Sequence, residues 1–318
     1  MPIVTGDLLS ATLTGARAIF NDTYLARVEQ SAWLKMVLDG RAQDSSGHES
    51  MQYGWLSSVP KMTRWAGQLE LEDFERFDFT LTNHLYTASF PVDRLAFERD
   101  QLGMIPPKTR QLADEAARFP GEKIFDLVNG GGSAIGESPT LDGAAFFADR
   151  TIGDSATIDN TLATAGTSVA NFRTDLAAAR AQMMSFQDER GRPINVAPNV
   201  ILCNPAKGAV IVEALNVGAG ADKGVGVTPV GTDGVAVWQS QQGYTVIESA
   251  YVTDTAGVYF MHVSPGRAPF LYQVEVAPQL ESLEGNSEEA LMAERFIYKV
   301  RAVFAVGFGD PRYIVYTT

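Results

Sequence analysis

The amino-acid sequence predicts an α+β fold, with helices concentrated before Leu215 and strands after it. The chain has 318 residues, of which 45% are hydrophobic, enough for a sizeable core. The clearest helical pattern places apolar residues at i, i+4, i+7 and i+11: Phe172, Leu176, Ala179 and Met183. The clearest strand pattern alternates with period two: Phe270, Tyr272, Val274 and Val276.

The N-terminal segment has a weaker pattern. Between residues 7 and 38 the apolar side chains are loosely spaced for a helix, and Gly15 interrupts them. We therefore predict an N-terminal arm with a short helix. Residues 39–50 are polar and rich in turn formers, which predicts a loop.

An aromatic segment follows this loop. Residues 52–71 contain two tryptophans, a proline and two glycines, and residues 72–90 show no apolar face that could form a core. Residues 77–82 nevertheless alternate with period two, so we predict a β-hairpin or an extended ribbon. A two-stranded ribbon is marginal in water, so its stability must come from burial against another chain.

The next helix is predicted to begin at Pro106-Pro107, because proline in the first turn loses no amide that the helix needs. Pro120-Gly121 is predicted to break or kink this helix. A second helical run over residues 122–128 then ends at Asn129 and three glycines.

Two later helices have clear boundary signals. A helix over residues 169–188 can be capped by Thr167 or Ser168. Residues 199–203 predict a short buried strand, after which Asn204-Pro205 supplies the N-cap and first-turn proline of a helix ending at Leu215.

The C-terminal third is predicted to form a sheet. A glycine-rich loop over residues 218–234 precedes four segments of strand composition, at residues 235–238, 244–248, 258–263 and 270–276. A last segment alternates between an apolar face and a largely basic one: Phe296, Tyr298, Val300, Ala302 and Phe304 against Arg295, Lys299 and Arg301.

The composition limits the classes of protein to which this chain can belong. The net charge of −13 argues against a protein whose whole surface grips nucleic acid. No run approaches the roughly 18 apolar residues of a membrane span, and the first 14 residues lack the pattern of a signal peptide. We expect the product to stay inside the cell that makes it, with no membrane partner.

The sequence predicts no cofactor, metal or catalytic site. His48, His84 and His262 are scattered, and none has a second histidine or a cysteine at metal-ligand spacing. Cys203, the only cysteine, precedes a helix start, where a thiol could become acidic. Packing as a small buried hydrophobe is the favoured interpretation of Cys203. Residues 130–136 are rich in glycine but lack the lysine of a phosphate-binding loop.

Several sequence blocks occur in a defined order along the chain. They are Tyr53-Gly54-Trp55-Leu56 with Pro60, Trp65 and Gly67; Val92-Asp93-Arg94 with residues 100–103; Phe119-Pro120-Gly121-Glu122 with Asn129-Gly130; residues 141–147; and residues 183–193. In this order they resemble the major head subunit of Mu-like tailed bacteriophages, a family with the Hong Kong 97-type capsid fold. One departure is Ala148-Asp149-Arg150, where the family usually has aspartate, histidine and proline.

The resemblance implies a division of the chain into subdomains. Residues 1–47 would form an N-terminal arm, and residues 48–94 an extended loop that reaches over a neighbouring subunit. Residues 95–195 would form a peripheral domain with a long spine helix near residues 106–129, and residues 196–290 an axial domain. Residues 291–318 would return to the peripheral domain.

The resemblance also implies a structural, non-enzymatic function. The subunit would form pentamers and hexamers of an icosahedral virion shell, assembled in the bacterial cytoplasm around double-stranded DNA that is bound without sequence specificity. Scaffold, portal and decoration proteins are possible partners. Candidates for intersubunit contact are aromatic and proline residues of the extended loop: Tyr53, Trp55, Pro60, Trp65, Phe74, Phe77 and Phe79.

Two alternatives stay open from the sequence. A shell of the same fold could enclose protein cargo, as in an encapsulin-like compartment. An enzyme of a different class could use Cys203 as the nucleophile of a thiol-dependent hydrolase.

Overall fold

A computed structural model describes residues 6–56, 76–93, 103, 105–130, 140, 145–152, 156–188, 191–216, 235–239, 243–283 and 295–318. Within these residues the chain forms four α-helices: α1 (Gly6–Glu29), α2 (Ile105–Asn129), α3 (Val169–Ser185) and α4 (Pro205–Asn216). Short 3₁₀ helices span Ala32–Met36, Leu38–Gly40 and Pro311–Tyr313.

Fourteen strands lie in the same described ranges. They are β1 (Gln43–Asp44), β2 (Ser50–Leu56), β3 (Arg76–Thr82), β4 (His84–Asp93), β5 (Asp149–Ile152), β6 (Ala156–Asp159), β7 (Thr161–Leu162), β8 (Val200–Cys203), β9 (Val235–Gln239), β10 (Thr245–Ser249), β11 (Val258–Met261), β12 (Phe270–Leu283), β13 (Arg295–Phe308) and β14 (Ile314–Thr317). One sheet has the order β1-β12-β13-β4, and a second has the order β7-β14-β11-β8-β10-β9. β2 pairs only with β3, and β5 only with β6, within the described sheets.

Helices α1 and α2 pack together on one face of the four-stranded sheet. Ala16 and Phe20 of α1 are buried in a cluster with Ala113 of α2 and with Phe296 and Tyr298 of β13. The alternation predicted for β13 thus points its apolar side chains at these two helices.

Helices α3 and α4 cover the six-stranded sheet. Phe172 of α3 and Ile211 of α4 lie in one buried cluster with Ile201 of β8 and Phe260 of β11. A further cluster contains residues of both sheets, among them Tyr259 and Phe304. The two sheets therefore share a continuous core.

The prediction of a short, interrupted N-terminal helix is wrong. α1 is one helix of 24 residues that passes through the exposed Gly15. A glycine costs a helix about 1 kcal/mol relative to alanine. The burial of Ala16 and Phe20 against α2 and β13 offsets that cost, and a weak local pattern does not reveal such packing.

Pro120-Gly121 was predicted to break or kink the helix, and the break is not found. α2 continues through Pro120 over 25 residues, so the two predicted runs form one helix. An interior proline removes one helical hydrogen bond. Here Pro120 and Gly121 are both buried, and Gly121 lies directly against the indole of Trp33.

Residues 72–90 do contain an apolar face, contrary to the sequence expectation. Leu81 is fully buried and Phe79 is 8% exposed, in a cluster with Leu271 and Ala305. Alternate residues of β4 are half-buried as well. The many acidic residues between positions 72 and 78 hide this pattern in the sequence.

The α+β class and most later elements are confirmed. Ser168 caps α3 by accepting a hydrogen bond from Asn171 N at 3.2 Å, and Asn204 Oδ1 accepts one from Ala206 N at 2.9 Å at the start of α4. All four described α-helices end by Asn216, but eight of the fourteen described strands precede α4, so strands are not confined to the C-terminal third. The glycine-rich segment 218–234 lies outside the described residues.

Candidate functional site

The predicted ribbon is present as the antiparallel pair β2 and β3. Tyr53 stands opposite Phe79 and Trp55 opposite Phe77 in the register. The rings of Tyr53 and Phe79 stack with centroids 5.9 Å apart. Four of the seven candidates therefore lie on this ribbon.

The seven candidate contact residues divide into three groups. Tyr53 and Phe79 pack within their own chain, where Tyr53 is half-buried. Trp55 of β2 and Phe77 of β3 are placed by the backbone pairing of these two strands. The other candidates lie outside the described residues: Pro60, Trp65 and Phe74.

The Tyr53 hydroxyl has an unusual environment. It is buried and has no hydrogen-bond partner among the described residues. Burial raises the pKa of Tyr53 to about 12, because the charged phenolate would lose its hydration.

The ribbon meets the rest of the subunit at a corner formed by one residue. β3 ends at Thr82 and β4 begins at His84, so only Asn83 separates them. β3 pairs with β2, whereas β4 pairs with β13 in the four-stranded sheet. Asn83 is thus the point at which the chain changes sheets.

Three buried polar side chains surround this corner: Ser45, Asn83 and Gln273, which we call the amide hub. Asn83 Nδ2 donates to Ser45 Oγ at 3.1 Å and to the His48 carbonyl at 2.9 Å. Gln273 Nε2 donates to Asn83 Oδ1 at 2.8 Å and to the Leu81 carbonyl at 3.0 Å. The hub therefore links three separate segments of the chain.

Apolar packing complements the hub. A Cβ atom on Gly307 of β13 would lie 3.0 Å from both δ-carbons of Leu81, closer than side chains normally approach. The bare backbone of Gly307 therefore makes room for Leu81, and β3 is held close to the sheet at this point.

Two grooves flank α2. The groove between α1 and α2 has a volume of about 310 Å³ and is lined by charged residues that include Arg27 and Arg118. Arg27 Nε lies 2.7 Å from Asp114 Oδ1, and Arg118 pairs with Glu115 and, at 3.0 Å, with Glu122. Because these charges neutralise each other in pairs, the groove has no excess charge for a ligand.

The groove between α2 and the four-stranded sheet is smaller, at about 180 Å³, and aromatic. The ring centroid of Tyr86 lies 4.6 Å from that of Phe304 and 5.0 Å from that of Phe119. These contacts join α2 to strands β4 and β13.

The structure gives no support to catalysis by Cys203. Its side chain is fully buried at the end of β8. Burial, and secondarily the Glu248 carboxylate, raises the pKa of the Cys203 thiol above its ordinary value. A nucleophilic cysteine needs a lowered pKa and access to solvent.

The described residues contain no group of histidine, cysteine and acidic side chains arranged to hold a metal ion. His262 instead lies with Nδ1 2.7 Å from the Ala197 carbonyl and Nε2 3.1 Å from Ser264 Oγ. Among the same residues, no helix combines the length and apolar character needed to span a bilayer.

The loop that departs from the family pattern is held by buried polar contacts. Phe146 stacks on Phe308 with centroids 4.4 Å apart. The Phe146 carbonyl accepts hydrogen bonds from Arg150 Nη2 at 2.7 Å and from Asn160 Nδ2 at 2.9 Å. Arg150 therefore stabilises this loop through its hydrogen bond to the Phe146 carbonyl.

The sequence did not identify the amide hub. Its bonds join residues 38 and 190 positions apart, which no local pattern reveals. One signal was available: Asn83, a turn former, lies between two alternating runs.

The chain is similar in sequence to a family of phage proteins. A family model described as phage capsid protein matches residues 85–317. The major capsid protein of Escherichia phage Mu is 28% identical over 145 residues, which are 46% of this chain and 44% of that protein. The Mu-like prophage FluMu major head subunit of Haemophilus influenzae is 28% identical over 162 residues, 51% of this chain and 49% of that protein. The chain spans about half the length of the curated relatives it matches.

A solved structure, the procapsid of bacteriophage JBD30, has a similar fold. The TM-score is 0.54 at 20% identity, over 99% of this chain and 76% of that chain. At this identity the likeness concerns the fold alone.

Proposed function

We propose that this chain, which belongs to the phage capsid protein family, is a major capsid subunit that assembles with copies of itself into an icosahedral phage or phage-like head. The observation that carries the proposal is the family match over residues 85–317. The match includes all of β4 except His84, the helices α2 to α4 and the strands β5 to β14. Its work would be structural rather than catalytic.

The subdomains expected from the resemblance fit this proposal. The 25-residue α2 is suited to the role of spine helix in a peripheral domain of residues 95–195. Residues 1–47, 48–94, 196–290 and 291–318 would be the arm, the extended loop, the axial domain and the returning strands. In this division β4 forms the base of the extended loop and attaches it to β13.

The ribbon is the proposed intersubunit contact. A ribbon of two strands is marginal alone. Tyr53, Phe79 and Leu81 pack on their own subunit, and a neighbouring subunit would add to this stabilisation. Trp55 and Phe77 stand opposite each other on its two strands, and Pro60, Trp65 and Phe74 lie between those strands in the sequence. Large aromatic side chains supply much of the binding energy at protein interfaces.

The proposed partners follow from the shell. Copies of the chain would form pentamers and hexamers, joined during assembly by scaffold, portal or decoration proteins in the bacterial cytoplasm. The interior would hold double-stranded DNA without base-specific contacts. A net charge of −13 suits a wall that must not adhere to packaged DNA.

Electron microscopy of the purified protein, combined with nuclease digestion, tests the proposal. Closed shells are expected, and particles from the native host should contain nuclease-protected double-stranded DNA. Particles that hold only protein cargo would instead favour a compartment of the encapsulin kind.

A further inference from the structure

We infer that the amide hub of Ser45, Asn83 and Gln273 is a positioning device, which sets the direction in which the ribbon leaves the subunit. The inference rests on the proposed function, because the direction of the ribbon matters only if the ribbon reaches a neighbouring copy. It assigns a role in assembly to three residues that are buried within the subunit.

The hub residues form hydrogen bonds with the backbone just before β2 and near the end of β3. β2 begins at Ser50, directly after the His48 carbonyl that accepts from Asn83 and the Glu49 carbonyl that accepts from Asn83 N at 2.8 Å. β3 ends next to the Leu81 carbonyl, which accepts from Gln273 at 3.0 Å. The entry of the ribbon is thus bonded to Asn83, and both Asn83 and the exit of the ribbon are bonded to Gln273 of β12.

Because only one residue forms the corner, the direction of the ribbon is sensitive to small changes in the backbone there. The orientation of β3 relative to β4 depends on the backbone angles around Asn83. The ribbon strand β2 has seven residues, or about 23 Å at roughly 3.3 Å per residue. A rotation of about 10° at the corner would therefore move the far end of that strand by about 4 Å, enough to lose side-chain contacts with a neighbour.

The hydrogen bonds of the hub favour one arrangement. Gln273 Nε2 faces two acceptors, the Leu81 carbonyl and Asn83 Oδ1, while Asn83 Nδ2 faces the His48 carbonyl. Exposure is 1% for Ser45, 8% for Asn83 and 0% for Gln273, so water cannot readily replace a lost partner. A rotated ribbon would leave several of these buried groups unpaired.

The backbone of the loop before the ribbon is tied to the same strand. Ser45 N donates to the Val274 carbonyl at 2.9 Å, and His48 N donates to the Ser45 carbonyl at 3.0 Å. The loop over residues 45–48 is therefore fixed to β12 before β2 begins. The hub completes this attachment by adding β3.

The test compares Asn83→Ala with a matched variant, Asn160→Ala. Asn160 is likewise a buried asparagine, and its side chain donates to Phe146 O at 2.9 Å and accepts from Ala148 N at 3.0 Å. It lies outside both the ribbon and the amide hub. Both variants should lower the melting temperature by similar amounts. At a temperature below the melting temperatures of both variants, only Asn83→Ala should yield aberrant or open particles in cryo-electron microscopy.

Hydrogen exchange of the unassembled subunit gives a second readout that does not depend on shell formation. In Asn83→Ala the amides of residues 50–56 and 76–82 should exchange about tenfold faster, with residues 84–93 unchanged. Ser45→Ala, which removes one hub bond, should shift both readouts in the same direction by less.

Two results would overturn the inference. One is that Asn83→Ala forms shells of the same size and regularity as Asn160→Ala. The other is that ribbon exchange in the subunit stays at the wild-type rate. Failure of the wild-type chain to form shells would count against the proposed function instead, and the exchange measurement would still decide whether the hub holds the ribbon.

Discussion

Trp33 occupies a notch in α2 that only glycine can provide. A Cβ atom on Gly121 would lie 2.4 Å from Trp33 Cδ1, well inside van der Waals contact. Trp33 is 1% exposed, and its ring meets Tyr272 edge to face with centroids 5.1 Å apart. This contact joins the segment after α1, helix α2 and strand β12 in the core between the sheets.

We predict that Gly121→Ala lowers the free energy of unfolding by about 1–3 kcal/mol, because the methyl group must displace a fully packed indole. Urea denaturation of the unassembled subunit measures this change. Gly15→Ala is the control, since Gly15 is an exposed helical glycine with nothing within 4 Å of its Cβ position. That substitution should raise stability by roughly 0.5–1 kcal/mol. A Gly121→Ala variant as stable as wild type would show that Trp33 can move at little cost.

We predict that the subunit loses stability at high pH, because the pKa values of two half-buried tyrosines are raised. Burial raises the pKa of Tyr24 and of Tyr53 to about 12, above the ordinary value near 10. The folded state therefore keeps protons that the unfolded state loses, so the stabilisation is complete below pH 10 and disappears as pH rises through 12. Unfolding measured between pH 9 and 12 should show this fall.

The fall should be smaller in Tyr53→Phe, which removes one of these groups. This substitution should not destabilise the subunit at pH 7, because the Tyr53 hydroxyl is buried without a partner among the described residues. An alkaline slope identical to that of wild type would contradict the assignment.

Some residue roles could be predicted from the sequence, and others could not. Ser168 and Asn204 were predictable as helix caps because a cap and the amide it binds are two or three residues apart. The hub bond between Asn83 and Gln273 spans 190 residues, so only the folded chain reveals it. The notch at Gly121 was hidden for the same reason.

Local sequence signals failed to predict helix boundaries where tertiary packing was strong. Pro120 in α2 and Gly15 in α1 are both residues that weaken helices, yet both helices continue through them. The boundaries of α3 and α4 followed the sequence more closely, because capping residues mark their starts. A breaker inside an apolar pattern is therefore a weaker signal than a cap at its end.

Removing the segment between the two ribbon strands, residues 57–75, tests assembly separately from folding. Leu56 stands opposite Arg76 in the register, so an Asn-Gly pair can replace residues 57–75 and close a two-residue hairpin. We predict that the shortened subunit keeps its melting temperature within a few degrees, since the amide hub, Phe79 and Leu81 remain. It should form no shells in electron microscopy. Closed particles from this variant would exclude residues 57–75 from the assembly contact.

The sequence supported the α+β class and the family resemblance but did not predict the order of strands in the two large sheets. β13 lies between β12 and β4, which is about 200 residues earlier in the chain. β8 pairs in parallel with β10 and antiparallel with β11. Such pairings depend on how distant segments meet, and alternation within a strand indicates only which of its faces is buried.

A cryo-electron microscopy reconstruction of particles formed by this chain shows whether the ribbon contacts a neighbouring copy. We predict closed icosahedral shells in which residues 50–82 of each copy lie against another copy, with Trp55 and Phe77 at the contact. A folded subunit that stays monomeric across protein concentration and ionic strength would contradict it. So would shells in which each ribbon packs wholly on its own subunit.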